Sequence, residues 1–62
     1  MYKSYARIRD EQGVTDYRVS KETGIPRSTF TEWKNGRSKP KADKLNKIAK
    51  YLKVTIEKLI EE

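Results

Sequence analysis

The sequence predicts an all-α fold, a compact bundle of five short helices. Three observations carry that expectation. Apolar residues recur at helical intervals, most clearly Leu45, Ile48, Ala49 and Leu52, which fall at i, i+3, i+4 and i+7 and line one side of a helix. Glycine, proline and hydroxyl residues stand at short intervals where helices need starts and stops. The apolar 34% is spread in regular groups and includes four Tyr, one Phe and one Trp, which suits a small packed domain better than a disordered tail.

The first helix is expected over Tyr2 to Gln12, with Tyr5 and Ile8 one turn apart and Gly13 as its stop. Thr15 is a good N-cap for a second helix, Asp16 to Glu22, and Asp16 sits favourably at its positive end. Val19 points inward there. Gly24 ends this helix, where a tight turn needs a positive φ. Pro26 suits the first position of a third helix, where no N–H partner is needed. Phe30 and Trp33 share a face of that helix, and Asn35-Gly36 terminates it. The basic connector Arg37-Ser38-Lys39-Pro40 leads into a fourth helix, Lys41 to Lys53. Thr55 caps the fifth, in which Ile56, Leu59 and Ile60 repeat the apolar stripe.

Connections of about 2–5 residues imply antiparallel or sharply crossed neighbours. The core is expected around Tyr5, Ile8, Val14, Val19, Ile25, Phe30, Trp33, Leu45, Ile48, Leu52, Ile56 and Leu59. Repeats, low-complexity stretches and linkers are absent, so residues 1–62 read as one domain.

Composition narrows the function. The chain has no cysteine and no histidine, which removes disulfides, thiolate metal sites and the commonest metal ligand and general base. It has no glycine-rich phosphate loop either. The expectation is no cofactor, no metal and no enzyme. A chain this short buries only roughly 60% of its unfolded surface, so stability is marginal and a dimer partner would help. No apolar run approaches the ~18 residues of a membrane span, and no signal peptide is visible at Met1, so a cytoplasmic protein without a membrane partner is expected.

Charge is unevenly placed. Of the net +6, residues 27–53 carry nine basic side chains against two acidic, a net of +7, and residues 54–62 come to −2. Such an excess suits a face that meets a polyanion, and equally a solvated lysine-rich surface. The lysines at 44, 47 and 50 lie opposite the stripe of the fourth helix and belong to the second kind.

The informative stretch runs from Val14 to Asn35: a capped helix, the turn Thr23-Gly24-Ile25, and a second helix. Two helices so joined cross at ~90–120° and leave the second free to protrude. Its outer face offers Arg27, Ser28, Thr31 and Glu32, hydrogen-bonding side chains suited to base edges.

The run Gly13-Val14-Thr15, Val19-Ser20, Gly24-Ile25-Pro26-Arg27-Ser28-Thr29-Phe30, Trp33-Lys34-Asn35-Gly36, Lys39-Pro40, Leu45, Ile48-Ala49, Leu52 and Val54-Thr55 resembles the Cro/C1-type helix-turn-helix family of phage and bacterial transcriptional regulators. The resemblance covers most of the chain in register, with its helix-turn-helix core at about 15–36. It implies a five-helix fold, a second helix across the backbone of double-stranded DNA and a third in the major groove. It further implies two protomers on a palindromic operator, with repression as the commonest outcome. Carried over residue by residue, Arg27, Ser28 and Glu32 take base-reading positions, with Thr31 beside them. Thr15, Thr29, Asn35, Lys39 and Lys41 take positions facing the DNA backbone; Arg37, in the loop after the third helix, is expected to reach it too, as are Arg18 and Lys34 where the chain departs from the family pattern.

Two departures from the family pattern stand out. Asp16 replaces a common glutamine that donates to phosphate, so the positioning contact falls to the backbone amide there or to Arg18. Lys34 replaces a common glutamate that pairs with an arginine on the first helix. Arg9 is therefore expected to lack a partner and to face phosphate together with Lys34. Some alternatives stay open. Glu32 can pair with Arg27 or Ser28 instead of reading a base, and Tyr17 can close the core edge or lie along the DNA backbone. The last helix can complete the core alone or also form a homodimer seam. The fold equally serves antitoxin-type protein-interaction modules, and the chain can be the N-terminal part of a longer regulator.

Overall fold

The computed structural model describes residues 2–61, in which α1 spans Tyr2–Glu11, α2 Asp16–Thr23, α3 Arg27–Lys34, α4 Ala42–Leu52 and α5 Ile56–Ile60. Each boundary has a local cause. Thr15 is extended, and its hydroxyl accepts from the Arg18 N–H at 3.1 Å, which satisfies a free donor of α2. Thr55 does the same for the Lys58 N–H at 3.4 Å. Gly24 closes α2 at φ 77°, its N–H returning to the Ser20 carbonyl. A Cβ there would meet nothing within 4 Å, so the turn demands glycine for its backbone angle and not for space. The buried Ser20 hydroxyl donates to the Ile25 carbonyl at 2.6 Å and ties the turn to α2.

Pro26 stands one position earlier than expected. It is the N-cap of α3, with φ −58° and ψ 143°, and its carbonyl accepts from the Thr29 N–H at 3.0 Å. The ring fixes φ but leaves ψ free, so the same proline can precede a helix as readily as open it. Lys41 and Lys53 likewise flank α4 instead of belonging to it. Lys53 carries a left-handed φ of 59°, with its N–H on the Ala49 and Lys50 carbonyls.

The core holds Tyr5, Val19, Ile25, Phe30, Trp33, Leu45, Ile48, Ala49, Leu52 and Leu59. Its upper part is aromatic. Tyr5 stacks on Trp33 with centroids 4.9 Å apart, and Tyr2 meets Trp33 edge-on at 5.5 Å. The indole N–H of Trp33 finds no acceptor among the described residues. Ile8, Val14 and Ile56, expected inside, are only half-buried against the core. Ile8 lies in the last turn of α1, Val14 in the α1–α2 connection and Ile56 at the start of α5, where a domain measuring 25 × 24 × 20 Å has no further layer to cover them. Two polar contacts close the bundle. Gln12 donates to the Leu52 carbonyl at 2.7 Å, and Ser4 donates to the Glu61 carbonyl, fastening α1 to the end of α5. Among the described residues no helix is long and apolar enough to cross a membrane.

Candidate nucleic-acid interface

Helix α3 divides into two faces. Phe30 and Trp33 are buried, whereas Arg27, Ser28, Thr31 and Lys34 are exposed and Thr29 and Glu32 half-buried. The polar edge therefore points outward along the whole helix. Its seat is apolar packing, with Phe30 and Trp33 against Tyr5. The Thr31 hydroxyl turns back to the Arg27 carbonyl at 3.4 Å.

Two surfaces flank that edge. On one side a shallow groove brings Ser28, Thr29 and Glu32 together with Lys39 and Lys41 of the connector and Lys44 of α4. Asn35 ends α3 and is exposed, and Gly36 at φ 76° turns the chain so that the Arg37 N–H reaches the Glu32 carbonyl at 2.9 Å. The second surface is a groove at the start of α2 that Thr15 and Arg18 share with Tyr17 and Lys21, and it adjoins α3 through the contact of Tyr17 with Arg27. Arg18 lies 3.7 Å from Glu22, an exposed pair of little energetic consequence.

Glu32 takes a partner other than the two that were expected as alternatives to a base. Its carboxylate pairs with Arg37 at 3.0 Å, neither with Arg27 nor with Ser28. The turn after α3 folds back toward Glu32, and this brings the Arg37 side chain alongside. Arg27 has no acidic partner among the described residues and lies over the Tyr17 ring, 5.4 Å from its centroid. Tyr17 is 52% exposed, so it does not close the core edge.

The expectation for Arg9 is also overturned. Arg9 is only 17% exposed and donates to Asp16 at 2.6 Å and to the Tyr2 hydroxyl at 3.1 Å. Tyr2 and Tyr5 donate to the two oxygens of Asp16 at 2.8 and 2.7 Å. Asp16 is thus more than a helix-end charge. It supplies Arg9 with a carboxylate from α2 and locks α1 to the first turn of that helix. Lys34 is left exposed at the end of α3.

The electrostatics follow. Burial alone would raise the Asp16 carboxyl, but the hydrogen bonds from Tyr5, Arg9 and Tyr2 outweigh it and hold the group below its ordinary value. Burial pushes the Tyr5 hydroxyl well up, and its bond to Asp16 adds to the effect. Burial opposes the Arg9 charge, yet the bonds to Asp16, Asp10 and Tyr2 bind its proton more firmly than usual. Tyr2 moves upward, through burial and its bond to Asp16. Sequence reasoning missed this cluster and the Tyr17–Arg27 contact. The i, i+4 spacing of Tyr17 and Lys21 was the one local signal that α2 carries an aromatic–cation patch on its surface.

A capped helix, a glycine turn and a following helix with its polar edge exposed define a helix-turn-helix domain, a DNA-binding class. The chain belongs to the Cro/C1-type helix-turn-helix family, whose model matches residues 6–59. No curated protein and no solved structure matches the chain.

Proposed function

We propose that the chain, residues 1–62 as one domain, is a sequence-specific transcriptional repressor that reads double-stranded DNA in the major groove through α3. The observation that carries this reading is the exposed edge Arg27, Ser28 and Thr31, set on a helix whose other face is buried. Arg27 takes guanine O6 and N7, a pairing worth about 1–3 kcal/mol against a wrong base. Glu32 accepts from cytosine N4 once Arg37 turns to a phosphate, Ser28 bonds either kind of base edge, and Thr31 lies beside them. Thr15, Arg18, Thr29, Lys34, Asn35, Arg37, Lys39 and Lys41 meet the sugar-phosphate backbone on both sides of the groove.

Two protomers bind a palindromic operator, and α5, whose Ile60 is 41% exposed, is the seam between them. The protein acts in the cytoplasm of a bacterial or phage-infected cell, needs no cofactor and catalyses no reaction. Selection from randomised duplexes tests the reading. An enriched motif is expected, with Arg27→Ala relaxing preference at one base position and Lys39→Ala weakening all sequences alike. Selection that enriches nothing rejects sequence-specific binding.

A further inference from the structure

We propose that Tyr17 is a positioning residue for base recognition: its ring holds the Arg27 guanidinium and thereby sets the base preference that Arg27 delivers. This rests on the major-groove reading above. Arg27 is the first residue of α3, is exposed, and has no acidic partner among the described residues. Its contact with the ring, at 5.4 Å, therefore sets where this long side chain sits in the free protein. Tyr17 is 52% exposed and lies outside the core, so its ring is open to the Arg27 guanidinium.

The chemistry of the contact suits a base reader. An arginine loses rotamer freedom when it commits to a base, and a partner that orders it beforehand removes part of that loss. A carboxylate would order it too, but would occupy the in-plane N–H groups. A ring attracts the cation through its π face and leaves those N–H groups free for a bidentate acceptor pair such as guanine O6 and N7. Lys21, one turn along α2, lies 6.0 Å from the same ring. Two cations beside one ring repel each other, and a polyanion covering the patch relieves that repulsion.

The test is duplex selection and competition binding with the full chain, comparing wild type with Arg27→Ala, Tyr17→Ala, Tyr17→Leu, Tyr17→Phe and the Tyr17→Ala, Arg27→Ala double variant, with folding checked by far-ultraviolet circular dichroism. Arg27→Ala first identifies the base position concerned. Tyr17→Ala and Tyr17→Leu are expected to lower discrimination at that same position about two- to five-fold, the factor an exposed cation–π contact supplies. Tyr17→Phe should keep it, and Tyr17→Ala should add nothing on top of Arg27→Ala. Equal weakening of every sequence by Tyr17→Ala and Tyr17→Phe alike would make the hydroxyl a phosphate contact and overturn the proposal while leaving the major-groove reading intact. A motif unchanged by Arg27→Ala overturns it as well. Failure of the wild type to select any motif brings down the major-groove reading, and this inference with it.

Discussion

Asp16 shows how much one side chain can carry. It accepts from Arg9, Tyr2 and Tyr5 at once, and all of these bonds favour its charged form. Its carboxyl is held below the ordinary 3.8 in the folded chain. The unfolded chain therefore takes up this proton first, so the contribution is fully present above about that value and is lost as pH falls through the lower folded one. Asp16→Asn should cost about 2 kcal/mol at neutral pH, the scale of hydrogen bonds to a charged group. That corresponds to a fall in Tm on the order of 10 °C for a domain of this size. Melts at neutral pH and near pH 3 are the check: the gap between variant and wild type should narrow in acid. A gap that stays constant would show that Asp16 acts through shape alone.

At the scale of the element, the turns and the last helix decide most. Gly24 and Lys53 both adopt left-handed angles, φ 77° and 59°. Gly24→Ala meets no steric obstacle, so its cost should be the backbone strain alone, about 1 kcal/mol. Lys53→Gly relieves the same strain and should stabilise by about 0.5 kcal/mol, with a small rise in Tm as the readout. If both substitutions moved stability in the same direction, the left-handed assignment would be wrong at one of them. Helix α5 has five residues, too few to persist unaided, and Leu59 is its fully buried anchor. Leu59→Ala should cost about 2–5 kcal/mol, which in a domain holding about 5 kcal/mol leaves much of the population unfolded. A variant melting within a few degrees of wild type would show that the core closes without α5.

For the whole molecule, the charge map sets the expected behaviour toward a duplex. Arg18, Lys34, Arg37, Lys39 and Lys41 are the five cations proposed to face phosphate on one protomer. Neutralising about five phosphates gives a slope of log K against log salt near −4 to −5 per protomer, and about twice that for a pair on a palindrome. Lys39→Ala should reduce the slope by about one. Titrations between about 50 and 200 mM salt measure it, and a slope near zero would contradict backbone contact altogether. Arg9 is excluded from that count by its burial against Asp16, although its position in the sequence had placed it there.

Most of the fold was legible in the sequence because it depends on local chemistry. Thr15, Gly24, Thr55 and the 45, 48, 49, 52 stripe act within one or two turns of themselves, and the structure places caps, turn and stripe where they were expected. The outward edge of α3 followed from the same periodicity, since burying Phe30 and Trp33 leaves Arg27, Ser28 and Thr31 on the other side. The partners of the charged groups, by contrast, were settled by the packing of one helix against another. Arg9 with Asp16, Glu32 with Arg37, and Arg27 with Tyr17 join residues across a turn or between helices. Long polar side chains can reach several neighbours at similar cost, so their choice depends on how the helices are set against one another. Helical period and capping leave that undetermined, because they specify which face turns inward and not which outward side chains meet.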